Sequence, residues 1–153
     1  MIFIVISILV PLVIYFCLPL VLGLWFKKPA VSTWPLLAGG LIFFLSWYIP
    51  SPLIQGENTQ FLTHFFGGGL FCGFVWLYLK NYFKLQLSLL LEAVSLYALV
   101  SSLGVANELF ELLVVKTGLV RLSAMDTWWD LLANTLGALA FWILYKIFAH
   151  AKN

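Results

Sequence analysis

Charge is scarce in this sequence: Asp, Glu, Lys and Arg make up 9% of its 153 residues, against about 25% in a typical soluble domain. Hydrophobic residues make up 63%, and the mean hydropathy is +1.06. This composition predicts an integral membrane protein with the lipid bilayer as its surroundings. The net charge is only +2, and the basic residues are scattered, which argues against a nucleic-acid partner.

The sequence also lacks low-complexity stretches, internal repeats and long polar linkers, so we expect one transmembrane domain over residues 1–153. Its two cysteines, Cys17 and Cys72, lie inside apolar segments without metal or redox spacing. They are therefore interpreted as small buried hydrophobic residues.

Long apolar segments dominate what is present. A membrane-spanning helix needs about 20 such residues, and the sequence predicts an all-α polytopic bundle of about five transmembrane helices. The first segment lacks the basic start and small-residue cleavage site of a secretory signal, so it is expected to be a retained span. The predicted spans cover residues 2–26, 31–49, 61–79, 87–110 and 128–148.

The distribution of basic residues predicts the orientation. With the N-terminus outside and the C-terminus cytoplasmic, six lysines face inward and two basic residues, Lys116 and Arg121, face outward, as the positive-inside rule requires. This assignment predicts a multi-pass protein of the cytoplasmic membrane. The inward-facing lysines are Lys27, Lys28, Lys80, Lys84, Lys146 and Lys152.

Four of the six acids lie between Ala106 and Ala138, at the end of the fourth span and the start of the fifth. Residues three or four apart share one face of a helix. Glu108 and Glu111 therefore share a face of the fourth span, and Asp126 and Asp130 share a face of the fifth. His64 begins the third span at a similar depth, so we expect the three polar faces to meet near the outer surface. The predicted catalytic residues are His64, Glu108, Glu111, Asp126 and Asp130, and the predicted ligand-binding residues are Asn107, Arg121 and Asn134.

Ionisable groups inside a span are costly and indicate function by default. Several carboxylates in one confined site require a divalent cation or share protons. His64 with Glu108, Glu111 and Asp130 would suit Zn, Mn or Fe, whereas carboxylates with Asn134 alone would suit Mg or Ca. Such a metal could activate water to hydrolyse a phosphoester or an amide.

A structural interpretation competes with this chemistry. Asp126 is also suited to cap the fifth helix, and Asp130 is favoured by the helix dipole. Glu108 and Glu111 could be solvated, His64 could be an interfacial histidine, and Arg121 could be a solvated loop residue. On the inner side, Glu92 is expected to pair with Lys84 or Lys80.

Three motifs resemble a known family: H-F-F-G-G at His64, E-L-F-E at Glu108, and D-T-W-W-D-L-L-A-N-T-L-G-A at Asp126. Together they look like the VanZ-like and YjdF-type small bacterial integral membrane proteins, over His64 to Tyr145. The paired acids fit the YjdF-type pattern better. The resemblance implies a compact helical inner-membrane protein with a His, two acids on a late span and an Asp on the last span.

The leading functional prediction is an envelope protein that binds or processes a lipid-linked or cell-wall headgroup with a divalent cation. One alternative is an ion or proton transporter. Another is a structural subunit of a homo- or hetero-oligomer, which would associate through glycine faces formed by Gly68, Gly69, Gly73 and Gly137. The sequence leaves open whether the protein is an enzyme.

Overall fold

The computed structural model of the chain describes residues 2–29, 31–54, 56–117 and 124–150, and their side chains except at positions 2–4, 6, 7, 54, 57, 58 and 124–126. It confirms the predicted all-helical bundle. In chain order the helices are α1 (Ile2–Phe26), α2 (Trp34–Ser46), α3 (Phe61–Thr63), a π-helical segment (His64–Leu70), α4 (Phe71–Phe83), α5 (Leu89–Lys116) and α6 (Ala124–His150). Between α2 and α3, β1 (Leu53–Ile54) and β2 (Glu57–Asn58) form a small antiparallel hairpin.

Four helical stretches in the described part of the chain are long and apolar enough to cross a membrane: Ile8–Phe26, Phe61–Phe83, Leu89–Lys116 and Thr127–His150. α5, with 28 residues, is about 42 Å long at 1.5 Å per residue, which exceeds the bilayer core of about 30 Å. The second of these stretches, Phe61–Phe83, combines α3, the π-helical segment and α4 without interruption.

The outer surface of the bundle is apolar, as expected for helices that face lipid. Trp25 is 79% exposed and Phe148 is 65% exposed, and a soluble protein rarely presents so much contiguous apolar surface to water. Inside, Tyr78, Leu96 and Val100 are almost fully buried among the packed helices. The chain is therefore a membrane-embedded helical protein.

Helix α2 is shorter than the segment predicted at residues 31–49. Its 13 residues measure about 20 Å, less than the thickness of the bilayer core. At its start the Thr33 hydroxyl donates to the Tyr15 hydroxyl (3.3 Å), so α2 begins beside the middle of α1. Its last residue, Ser46, accepts a hydrogen bond from Thr63 through its carbonyl. Pro35 fixes the helix start, and a turn over residues 47–49 leads into Pro50.

The π-helical segment packs closely against α6, and this contact depends on glycines. A Cβ built on Gly69 would lie 2.5 Å from both the Asn134 carbonyl oxygen and the Gly137 Cα, and a Cβ on Gly137 would collide with the Phe65 carbonyl. Gly73 faces the Phe141 ring in the same way. Small residues let helix backbones approach closely in membranes, and these glycines are used for packing within the chain.

We expect Gly69→Ala to destabilise the protein strongly, because the new methyl group meets the backbone of α6 rather than a movable side chain. Overpacking commonly costs about 1–3 kcal/mol, and a backbone obstacle places this variant at the upper end. Gly23→Ala in α1 is the matched control, since a Cβ there meets nothing within 4 Å. Thermal unfolding in detergent should show a lower Tm for Gly69→Ala only, and equal Tm values would contradict the packing argument.

Candidate carboxylate and histidine site

Three carboxylates from two helices converge inside one end of the bundle. Glu108 and Glu111 lie in the last third of α5, and Asp130 lies in the first third of α6. One carboxylate oxygen of each lies within 4.8 Å of the others. The three-residue spacing of the glutamates places both on the face of α5 that meets α6. We call these three residues the carboxylate cluster.

His64 joins the carboxylate cluster through Asp130. It is the first residue of the π-helical segment, and its Nε2 lies 3.3 Å from Asp130 Oδ1. The Asp130 side chain is 2% exposed and that of His64 is 16% exposed. The glycine contact between the π-helical segment and α6 brings these two side chains together, and π-helical turns frequently occur at functional sites.

Two asparagines flank the carboxylate cluster. Asn107 donates from Nδ2 to Glu111 Oε1 at 2.7 Å on the exposed side of α5, which orients that carboxylate. Asn134 lies one turn deeper on α6, is 5% exposed, and is in close contact with the positions of Gly68 and Gly104. Its Oδ1 is buried and accepts no hydrogen bond from the described residues. A buried acceptor without a donor is unusual in a folded protein.

Electrostatic repulsion makes the carboxylate cluster unstable as three bare anions. Two unit charges 4.8 Å apart repel by about 3.5 kcal/mol at an effective dielectric constant of about 20, and the cluster contains three such pairs. Asp130 is buried, whereas Glu108 and Glu111 are partly exposed, so solvent screens part of this repulsion. A cation, or protonation of part of the cluster, would relieve the remainder.

The arrangement could accommodate a divalent cation after a small movement of the side chains. Three oxygens that bind one ion at about 2.0–2.2 Å lie no more than about 3.8 Å apart when they are equally spaced, so separations of up to 4.8 Å would have to shorten by up to about 1 Å. His64 contacts Asp130 rather than all three acids, which suits it to orient this carboxylate from outside the metal's own ligands or to exchange protons near it. Carboxylate oxygens bind Mg, Ca, Mn and Zn, and a His64 that also ligates would shift the preference toward Zn, Mn or Fe.

Two predicted site residues are not placed by the structure. Arg121 lies outside the described residues, and the side chain of Asp126 does so as well, although its backbone belongs to α6. The other predicted residues, His64, Asn107, Glu108, Glu111, Asp130 and Asn134, occupy neighbouring positions on the π-helical segment, α5 and α6.

A cavity of about 370 Å³ opens beside the start of the π-helical segment. Trp47 and Tyr48 form its aromatic wall, and Ser51, Gln60 and Thr63 contribute polar groups. Thr63 directly precedes His64, but its hydroxyl faces α2, where it donates to the Ser46 carbonyl, and neither His64 nor the carboxylate cluster lines the cavity. Gln60 adopts a left-handed backbone conformation with φ of 50°, which is uncommon for a residue with a side chain. Sequence patterns alone did not indicate this cavity.

A second ionic cluster lies at the other end of the same helices. Glu92 in α5 contacts Lys80 of α4 and Lys146 of α6. The sequence predicted Lys80 as a partner but not Lys146, while Lys84 is exposed at the end of α4. The sequence does contain one signal for Lys146. On each of three helices an ionisable residue of the carboxylate and histidine site is followed or preceded, at a distance of 16 positions, by a residue of the second cluster: the pairs are His64–Lys80, Glu92–Glu108 and Asp130–Lys146.

Together these features define a class: a small, all-helical membrane protein with a carboxylate and histidine site within one end of its bundle. Comparisons of the chain with protein-family models, with characterised proteins and with solved structures find no match.

Proposed function

We propose that the carboxylate cluster binds a divalent cation and that the bound cation holds the phosphate-bearing headgroup of a lipid at the acidic end of the bundle. The observation that carries this proposal is the convergence of Glu108, Glu111 and Asp130 within 4.8 Å. A divalent cation would bind all three carboxylates in their ionised form.

The surroundings of the site support a headgroup as the ligand. The cavity at the start of the π-helical segment has both aromatic and polar walls, which suit a polar group that stays attached to an apolar chain. Exposed apolar side chains on α5, such as Leu109, Leu112 and Leu113, face the acyl chains of the same leaflet. In the orientation predicted from the lysines, this leaflet is the outer one of the cytoplasmic membrane, which places the ligand among envelope lipids.

The contact between His64 and Asp130 favours hydrolysis as the chemical outcome. A divalent cation polarises a phosphoryl oxygen and lowers the pKa of a bound water molecule. An imidazole oriented by a buried aspartate can accept a proton from that water and return it to the leaving group. The His64 side chain retains 16% exposure, so substrate can reach it.

Ion or proton transport receives less support from the packing. The face of α5 that runs from Glu92 to Glu108 is buried through Leu96, Val100 and Gly104. These residues offer no side chain that could carry a proton or ligate an ion. The two ionic clusters are therefore separated by apolar packing along α5.

The proposal predicts cation-dependent binding of a polyprenyl diphosphate to the purified protein in detergent micelles. We expect the ligand to bind when Mn²⁺ or Zn²⁺ is present and not to bind in EDTA. In the metal-containing sample, the bound ligand should then release inorganic phosphate slowly. At saturating metal, His64→Gln should keep ligand binding but lower the release rate by about 10²–10⁴-fold, as loss of a general acid or base does.

Thr135→Val is the control for this experiment, because the Thr135 hydroxyl donates to the Leu131 carbonyl within α6 (2.8 Å). Equal binding with and without EDTA would refute the proposed function. Binding without any hydrolysis in the unmodified protein would refute only the role of His64 and leave a headgroup-binding protein.

A further inference from the structure

The basic end of the bundle contains a buried ion triad, defined as Lys80, Glu92 and Lys146. Glu92 Oε1 contacts the Lys80 ammonium, and Glu92 Oε2 contacts that of Lys146. Lys80 Nζ also donates to the Tyr145 hydroxyl at 2.9 Å. The Glu92 side chain is 4% exposed, and those of Lys80 and Lys146 are 15% and 27% exposed. The triad therefore joins α4, α5 and α6 within the protein, with Lys146 nearest its surface.

The charges of the triad do not balance, since two ammonium groups share one carboxylate. Glu92 is the single acid between Asn58 and Asn107 in the sequence, and no acid follows Asp130. The rings of Trp76 and Tyr145 lie 5.3 Å and 5.0 Å from Lys80 Nζ and stabilise that ammonium through their faces. The carbonyl ends of α4 and α6 offset part of the remaining charge, but among the described residues no second full anion besides Glu92 contacts Lys80 or Lys146.

The triad lies at the depth where phosphates of a bilayer are found. Glu92 and Glu108 are 16 residues apart on the continuous helix α5, which corresponds to about 24 Å. The hydrocarbon core of a bilayer is about 30 Å thick, so clusters this far apart approach its two opposite boundaries. At the basic end Lys28 also lies over the Phe83 ring, 5.0 Å from its centroid, and increases the positive potential there.

An apolar stripe leads from Lys146 toward the middle of the bilayer. Ile143 and Leu139 lie three and seven residues before it on α6, and this spacing places all three on one helix face. Ile143 is 46% exposed and Leu139 is 50% exposed. A molecule with a phosphate beside Lys146 could thus lay an acyl chain along this stripe, which a free phosphate ion could not do.

We propose that the ion triad is a binding site for an anionic phospholipid of the leaflet at the basic end, with its phosphate on Lys146 and an acyl chain along Ile143 and Leu139. Basic pockets between transmembrane helices bind anionic headgroups in this way. The site is independent of the carboxylate cluster and of the proposed function there.

Native mass spectrometry of the delipidated full chain in detergent tests this site with three probes: phosphatidylglycerol, phosphatidylcholine and inorganic phosphate. We expect retention of phosphatidylglycerol in preference to phosphatidylcholine, and no comparable effect of inorganic phosphate. One lysine near a membrane surface contributes about 1 kcal/mol to the attraction of anionic lipid, so Lys146→Gln should weaken phosphatidylglycerol binding by about fivefold. Lys146→Arg should bind as the unmodified chain does.

Lys84→Gln is the matched control, because this lysine lies at the same end, exposed and outside the triad. Equal retention of both lipids would overturn the proposal, and so would an equal loss of binding in Lys84→Gln and Lys146→Gln. If inorganic phosphate competes as well as phosphatidylglycerol, the site binds free phosphate and the lipid assignment fails. Should Lys146→Gln not fold, the lipids that copurify with the unmodified chain decide the matter: enrichment of anionic lipid over its bulk share supports the site, and no enrichment overturns it.

Discussion

Protein purified without chelators is expected to contain about one divalent cation per chain, and the Asp130→Asn variant is expected to contain none. Asp130 is the most buried of the three carboxylates, and it connects the carboxylate cluster to His64. Its replacement removes a metal ligand and the charge that His64 faces. Loss of groups that only support a ligand lowers metal affinity by about 10- to 100-fold, so loss of this ligand should exceed about 100-fold.

Elemental analysis together with thermal unfolding provides the measurement. The Tm of the unmodified protein should fall in EDTA and recover when Zn²⁺ or Mn²⁺ is added, because a ligand bound to the folded state stabilises it. Thr135→Val should keep both the metal and the response. The metal content of Asn107→Ala should lie between those of Thr135→Val and Asp130→Asn, since Asn107 orients Glu111 through one hydrogen bond. An unmodified protein whose Tm is unchanged by EDTA and by added metals would rule out the metal site.

Much of this site followed from simple sequence rules. Because His64, Glu108 and Asp130 lie at the ends of three predicted spans, the sequence predicted that they share one depth in the membrane. The helical spacing of the acids predicted which residues share a helix face. Depth and face do not determine which helices are neighbours, so contact between His64 and Asp130 required the structure. The glycines of the π-helical segment set that contact, but the sequence assigned them only to close packing with an unspecified helix.

Other features depend on tertiary geometry that a single sequence does not encode locally. The π-helical turn at His64–Leu70 is apolar and glycine-rich, and the same composition would also fit an ordinary α-helix. Helix α2 starts beside Tyr15 in the middle of α1, and this contact is a relation between residues distant in the sequence. The partner Lys146 lies 54 residues from Glu92, so the local pairing rule found Lys80 and missed it.

The second large effect is expected at the basic end, where Glu92→Gln should destabilise the protein severely. The substitution leaves Lys80 and Lys146 half-buried without their shared anion. Removal of one partner from a buried ion pair typically costs about 3–5 kcal/mol. For a chain of this size that loss corresponds to a decrease in Tm on the order of 10 °C, which thermal unfolding in detergent would detect.

Glu108→Gln is the same chemical change in the opposite environment, and it supplies the control. In the metal-free protein this substitution removes one of three mutually repelling carboxylates, so we expect the Tm to rise or stay constant. With Zn²⁺ or Mn²⁺ present, the unmodified protein should instead be the more stable of the two, because the variant lacks a ligand. A fall in the metal-free Tm of Glu108→Gln equal to that of Glu92→Gln would show that both glutamates are held by compensating partners. The carboxylate cluster would then be structural, and the distinction drawn between the two ends of the bundle would be wrong.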